Sequence, residues 1–142
     1  MALWLLFAFL SAASAALVSI FGKIGLEGVD ANTATAVRSV IMAVFLLGVI
    51  AVQGKFSELP DVFADKKGLS FIVLSGIAGA TSWLFYFLAL QHGTVKQVAP
   101  VDKLSVVLAA LLAVLFLGEK ISLLNGIGIA LVTIGVLLAA LG

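Results

Sequence analysis

Five long apolar stretches constrain the fold of this sequence more than any other feature. They run from about Leu3 to Gly22, Ala34 to Gln53, Leu69 to Leu90, Val98 to Gly118 and Leu123 to Leu141. A helix rises about 1.5 Å per residue, so about 20 residues cross a hydrocarbon core of about 30 Å. Each stretch therefore predicts one transmembrane helix, and together they predict an all-α integral membrane protein with five transmembrane helices.

The composition agrees with a bilayer as the solvent. Of the 142 residues, 63% are hydrophobic and only 11% are charged, whereas soluble domains carry about 25% charged residues. The net charge of +1 gives no reason to expect nucleic-acid binding. The chain has no cysteine and His92 is its single histidine, so we predict neither a metal site nor a cofactor.

Two segments of the sequence each have two interpretations that affect the number of helices. The run Ala13-Ser14-Ala15 resembles a signal-peptide cleavage site, but no Lys or Arg precedes it and the apolar run continues to Phe21. We therefore expect a retained first helix. The charged connection from Gly54 to Gly68 favours a solvated loop, with a short interfacial helix as the alternative. No segment has the length of a soluble domain, so we expect one five-helix domain over residues 1–142.

The distribution of lysine and arginine leaves the orientation open. Five spans place the termini on opposite sides, and we call the N-terminal side A and the other side B. Loop lysines are Lys55, Lys66, Lys67 and Lys120 on side A, and Lys23 and Lys96 on side B. Counting Arg38 and Lys103 at the span ends makes the two sides equal. The chain is therefore expected to insert with its N-terminus inside, or in both orientations, which would permit an antiparallel homodimer.

Three charges are drawn toward the hydrocarbon by the lengths of the second and fourth spans. Uncharged residues 39–54 and 104–118 cover only about 24 and 22 Å. A core of about 30 Å therefore has to take in Arg38, Asp102 and Lys103. Arg38 and Asp102 lie about one turn inside helices that start on the same side. An Arg38–Asp102 ion pair is therefore predicted if these two helices are neighbours.

Two interpretations of these charges stay open. In the first, Arg38 and Lys103 extend toward the headgroups while Asp102 caps the start of its helix. In the second, the three charges line a polar cavity, and the short side chain of Asp102 favours this because it reaches the headgroups poorly. Trp83 and Tyr86 either belong to an interfacial aromatic belt or form one wall of the same cavity.

Pro100 also has two interpretations. It can lie in the first turn of the fourth helix, where proline is tolerated. It can instead break a longer helix that starts near Thr94, which would expose backbone groups to a cavity. The fifth span carries no charge and has small residues at four-residue spacing, Gly126 with Ala130 and Gly135 with Ala139. It is our first choice for a dimer contact.

The fourth and fifth spans resemble a known family, and the resemblance covers nearly the whole chain in the number and spacing of its spans. The residues that carry the likeness are Tyr86-Phe-Leu-Ala-Leu-Gln-His-Gly-Thr-Val, Val98-Ala-Pro-Val-Asp-Lys-Leu, Leu115-Phe-Leu-Gly-Glu-Lys and Gly126-Ile-Gly-Ile-Ala-Leu. They resemble an EamA-type domain of the drug/metabolite transporter superfamily, and the Phe-Leu-Gly-Glu run is the most diagnostic. Full-length members resemble two five-helix halves of opposite orientation. This chain is similar to one half of that ten-helix inverted-repeat fold, as in the small five-helix members.

The resemblance implies secondary transport of polar metabolites, often amino acids or related compounds, by alternating access in the cell (inner) membrane. It also implies that a single half dimerises to rebuild the inverted pair. The related small multidrug resistance transporters couple through a glutamate in their first span. The stretch from Leu3 to Gly22 contains no acid, so that exchange mechanism is not carried over.

The leading hypothesis is therefore a transporter embedded in the lipid bilayer that moves a small-molecule solute. The residues expected to line its cavity are Arg38, Trp83, Tyr86, Asp102 and Lys103. Two cations against one anion favour an anionic or carboxylate-bearing solute, with Asp102 holding Arg38 or carrying a proton. The alternative is a non-transporting membrane subunit or scaffold. The spans contain no constellation typical of an enzyme, so no catalytic activity is predicted.

Overall fold

The computed structural model describes residues 3–142, and these are helical without any strand. The elements are α1 (Leu3–Gly25), α2 (Ala31–Val52), a 3-10 helix (Lys55–Glu58), α3 (Leu59–Ala64), α4 (Lys66–His92), α5 (Val95–Asp102), α6 (Leu104–Leu117) and α7 (Leu123–Leu141). Within residues 3–142, five helical segments are long and apolar enough to cross a membrane, and α5 with α6 forms one of them. The all-α fold with five spanning helices is confirmed.

The helix bounds follow polar caps rather than the edges of the apolar stretches. α4 begins at Lys66 instead of the expected Leu69, because the carboxylate of Asp65 accepts the backbone N–H of Gly68 at 3.0 Å. At the start of α2, Asp30 accepts the N–H and the hydroxyl of Thr33 at 2.9 and 3.0 Å. These bonds hold the pKa of Asp30 below its ordinary value. α2 and α4 thus each begin three residues before the apolar stretch that predicts them.

The connection from Gly54 to Gly68 differs from the favoured prediction of a loop. It forms the 3-10 helix, α3 and the first turn of α4, as the short-helix alternative proposed. Pro60 lies in the first turn of α3, where a missing N–H costs no helical hydrogen bond. All residues of the 3-10 helix and α3 are exposed apart from the half-buried Leu59, and their contact with water stays a prediction.

Gly118 ends α6 in the left-handed region, with φ 67° and ψ 21°. Glycine adopts this conformation without the steric cost that a side chain brings. It is the glycine of the Phe-Leu-Gly-Glu run, so the backbone of the helix end accounts for that residue of the motif.

The chain forms two compact units, of which the first combines the residues up to Lys23 with Ala89–Gly142. In this unit α7 packs against α5 and α6. The packed face consists of the buried Val136 and four half-buried residues at helical spacing, Gly126, Ile129, Thr133 and Ala140. The other faces of α7 are exposed, so this helix has a packed side and an apolar outer side.

A lysine ties the end of α1 to the end of α4 within the first unit. Lys23 Nζ donates to the carbonyl oxygen of Leu90 and, at 2.8 Å, to that of Gly93. The last carbonyls of a helix have no partner in their own helix, and a cation near them is favourable. Leu90 is fully buried, at 0% exposure. Lys23, counted above as a loop charge, therefore satisfies the carbonyls of the buried Leu90 and the half-buried Gly93.

The second unit is Ile24–Leu88. Its buried residues are Leu26, Ala31, Thr35 and Phe87. The hydroxyl of Thr35 donates to the carbonyl oxygen of Ala31 at 2.7 Å, so this polar group is satisfied inside its helix. The core of the second unit thus consists of Leu26 before α2, the first two turns of α2 and Phe87 of α4.

We predict that Lys23→Ala lowers the melting temperature of the purified protein in detergent. The variant leaves the carbonyls of Leu90 and Gly93 without their donor, and an unpaired buried acceptor costs about 1–3 kcal/mol. Thermal unfolding followed by circular dichroism measures the effect. Lys96→Ala is the matched control, because Lys96 is exposed. Melting of Lys23→Ala at the wild-type temperature would contradict the role of Lys23 as a tie.

Candidate functional site

Arg38, the eighth residue of α2, lies against aromatic rings of α4. Its guanidinium carbon is 3.7 Å from the centroid of the Trp83 ring and 5.0 Å from that of Phe87. Both distances are within the range of about 6 Å for a cation–π interaction. Trp83 and Phe87 are four residues apart, so they share one face of their helix. One helix face thus presents two rings to one arginine.

The rings also contact each other and form an aromatic cluster, which consists of Trp83, Tyr86 and Phe87. The centroids of Trp83 and Tyr86 are 5.6 Å apart in an edge-to-face arrangement. Phe87 lies 5.8 Å from Trp83 and 6.1 Å from Tyr86. Such separations are typical of favourable aromatic pairs. Phe87 is 3% exposed, so the buried ring anchors the two half-buried ones.

The electrostatic surroundings of Arg38 are unusual for a residue inside a spanning helix. Within Ile24–Leu88, Arg38 forms no ion pair, and it is only half-buried. The rings contact the guanidinium group, whose N–H donors all lie in its own plane. A planar fork of this kind binds carboxylates and phosphates through two parallel hydrogen bonds. The arrangement can therefore bind an oxyanion.

Asp102 and Lys103 lie at the junction of α5 and α6. Lys103 Nζ is 3.1 Å from Asp102 Oδ2, and the two side chains are 54% and 34% exposed. This ion pair joins two neighbouring residues of the chain. Its significance is local charge balance, because each group partly neutralises the other.

Pro100 lies inside α5, and the helical hydrogen bonding changes three residues after it. Proline has no N–H, so the carbonyl of Lys96 loses its usual donor. The N–H of Lys103 bonds to the carbonyl oxygen of Pro100 at 2.9 Å, and the N–H of Val106 bonds to that of Lys103 at 3.0 Å. These three-residue steps form a short 3-10-like junction in the middle of the fourth span.

The charges lie deeper along their helices than the expected single turn. Asp102 is the eighth residue of α5 and Arg38 the eighth of α2, which places each about 10 Å from its helix start. The reason is that α5 begins at Val95 and α2 at Ala31, three residues earlier than the apolar stretches. The segment Val95–Leu117 has 23 residues, or about 34 Å. Both charges are therefore well inside their spans.

The structure brings the predicted site residues together in two groups. The unit Ile24–Leu88 contains Arg38, Trp83 and Tyr86, and the other unit contains Pro100, Asp102 and Lys103. The predicted ion pair between Arg38 and Asp102 stays a prediction.

Sequence reasoning missed Phe87, which contacts Trp83, Tyr86 and Arg38. Phenylalanine is common in a span, so its presence alone carries no signal. The four-residue spacing from Trp83 is the available signal, because it places a second ring on the same face of the helix.

Comparisons with known proteins match the chain to one family and to two relatives. The sequence model of the EamA-like transporter family matches residues 2–141. A Sinorhizobium protein named "uncharacterized transporter in cobO 3′ region" is 42% identical over 137 residues, which cover 96% of both chains. An uncharacterized protein of Methanocaldococcus jannaschii is 29% identical over 80 residues, covering 56% of this chain and 58% of its own. No solved structure matches the chain.

Proposed function

The chain belongs to the EamA-like transporter family, and we propose that it is a secondary transporter of a small polar metabolite that carries a carboxylate or similar anionic group, as an amino acid does. Membership in the family makes it a multi-pass membrane transporter. The observation that supports an anionic solute is Arg38, which lies two turns inside a spanning helix. It forms no ion pair within its own unit.

The cost of a charge in a membrane explains why Arg38 carries this argument. An arginine near the bilayer centre costs about 2.5–3.5 kcal/mol on insertion scales, so such residues usually face a partner or a water-filled cavity. The aromatic cluster stabilises the guanidinium but gives it no counter-charge. A carboxylate in the cavity supplies that charge. The proposed lining set also contains Lys103 and Asp102, so cations outnumber anions by two to one.

We also infer that the transporter works as an antiparallel homodimer in the cell (inner) membrane. Full-length members of the family resemble two five-helix halves with ten helices in all, and this chain has five spanning helices. The Sinorhizobium relative is matched over 96% of its length, so it has about the same size. The outer side of α7 supports a helix–helix contact, because Gly135 and Ala139 are exposed there at four-residue spacing. Alternating access then moves the two copies relative to each other around the solute.

Uptake into liposomes tests the transport proposal. Purified protein is first screened by thermal shift against carboxylates, amines and neutral metabolites, because a ligand of the native state raises the melting temperature. We expect saturable uptake of a carboxylate hit and its loss in Arg38→Gln. Lys55→Gln, which removes an exposed lysine, is the control and should transport normally. A wild-type protein that binds and transports none of these solutes would favour the scaffold alternative.

A second prediction concerns Asp102. We expect Asp102→Asn to abolish transport, because a fixed or proton-carrying negative charge is lost inside the fourth span. Uptake by the variant at the wild-type rate would remove that role. The double variant Asp102→Asn with Lys103→Gln tests the local ion pair of 3.1 Å. Restored transport in the double variant would mean that Asp102 only neutralises Lys103, which contradicts a direct role.

The antiparallel dimer predicts that a loop on side A and a loop on side B can both be labelled from outside the cell. The chain has no cysteine, so Ser57→Cys on side A and Glu27→Cys on side B each introduce a unique thiol. Both positions are exposed. In intact cells, a membrane-impermeant maleimide should label about half of each variant, because a mixed orientation exposes either loop in half of the molecules. Labelling confined to one variant would contradict dual topology.

A further inference from the structure

The distance between Arg38 and Trp83 determines how the guanidinium group is oriented. Its central carbon is 3.7 Å from the ring centroid, close to the contact distance of about 3.5–4.0 Å between carbon atoms. Conjugated C–N bonds are about 1.3 Å long. Turning the group edge-on would therefore bring a nitrogen to about 3.0 Å or less from the ring, inside van der Waals contact. The guanidinium thus turns its face, and not its edge, toward the indole.

Face-to-face stacking leaves the hydrogen-bonding edges of Arg38 unused by the rings. The ring of Trp83 occupies one face of the guanidinium, while the N–H donors point outward in its plane. Rotation out of this plane would break the stack. The contact with Trp83 thus fixes the plane in which the donors lie.

Phe87 contacts both members of this arrangement. It is 3% exposed, lies 5.8 Å from Trp83 and is 5.0 Å from the guanidinium carbon. A buried ring that contacts both partners restricts the rotamers of both. The half-buried Trp83 is therefore positioned by Phe87, and Arg38 is positioned by the two rings together.

We propose that Trp83 and Phe87 are positioning residues that hold Arg38 as a preorganised planar fork, which selects solutes with a carboxylate bound through both oxygens. This inference rests on the proposed function and adds the recognition chemistry. A carboxylate is planar and matches the guanidinium fork, whereas an amide presents one acceptor and no charge. Preorganisation strengthens binding, because less side-chain freedom is lost when the solute arrives.

Nuclear magnetic resonance can test this directly, because Arg38 is the single arginine of the sequence. Protein labelled with ¹⁵N-arginine in lipid nanodiscs gives one Nε–H signal. The probes are acetate, propionate and benzoate, each paired with its primary amide. We expect at least one carboxylate to shift the signal saturably, while its amide at the same concentration leaves it in place. An absence of response to all three carboxylates would overturn the proposal.

Variants then separate positioning from simple charge attraction. In Phe87→Leu and Trp83→Leu, the Kd of the responding carboxylate should rise about tenfold as the fork loses its orientation. Trp83→Phe, which keeps a ring, should recover part of the affinity. Phe85→Leu is the control, because Phe85 is 64% exposed on the same helix, and its Kd should not change.

The same variants distinguish this inference from the transport proposal. Circular dichroism first establishes that each variant is folded. If Phe87→Leu does not fold, Trp83→Phe still tests the role of the ring. Wild-type affinity in both Phe87→Leu and Trp83→Leu would overturn the positioning role even if Arg38-dependent uptake persists. A second discriminating variant is Arg38→Lys, which keeps the charge but removes the fork. Carboxylate uptake by Arg38→Lys at the wild-type rate would likewise overturn the fork, whereas failure of wild-type uptake would overturn the transport proposal.

Discussion

The hydrocarbon core provides no water to bind polar groups, and this constraint shapes the structure at every level. Each backbone N–H and C=O has to be paired inside the chain, so the spanning segments are helices. The hydroxyl groups in the spans follow the same rule by donating to the carbonyl four residues earlier. Examples are Ser14, Thr35, Ser39, Thr81 and Thr133.

The same constraint explains where the charges lie. Lys23 donates to the last carbonyls of α4, Lys103 pairs with Asp102, and Arg38 stacks on Trp83. The first two have oxygen partners that offset their charge. Arg38 has an aromatic partner, which lowers the energy of the cation without neutralising it. That difference is the reason why we propose Arg38, among these three cations, as the one that binds an anionic solute.

Length and polarity were sufficient to predict the spans, because crossing the membrane sets a minimum helix length. The bounds of α7, Leu123–Leu141, agree with the prediction. The apolar pattern predicts a start of α4 at Leu69, whereas the cap by Asp65 starts it at Lys66. The charges after Gly54 favour a loop, although Pro60 is compatible with the first turn of a helix. Local hydrogen bonding therefore accounts for the errors in the helix bounds.

The candidate site was less accessible from the sequence. Arg38, Trp83 and Tyr86 were singled out by residue type and depth, but their mutual contacts depend on how α2 meets α4, which periodicity does not specify. Phe87 was missed for the same reason. Asp102 was expected to pair with Arg38, and that pair stays a prediction beside the observed contact with Lys103.

A distance between the solute and Arg38 tests the central claim most directly. Solid-state nuclear magnetic resonance on ¹⁵N-arginine-labelled protein in lipid, with a transported solute labelled with ¹³C at its carboxylate, measures this distance by dipolar recoupling. The single arginine makes the assignment unambiguous. A carboxylate held by the fork predicts a nitrogen–carbon distance of about 3.5 Å. Saturable transport of the same solute without dipolar coupling to Arg38 would contradict the account.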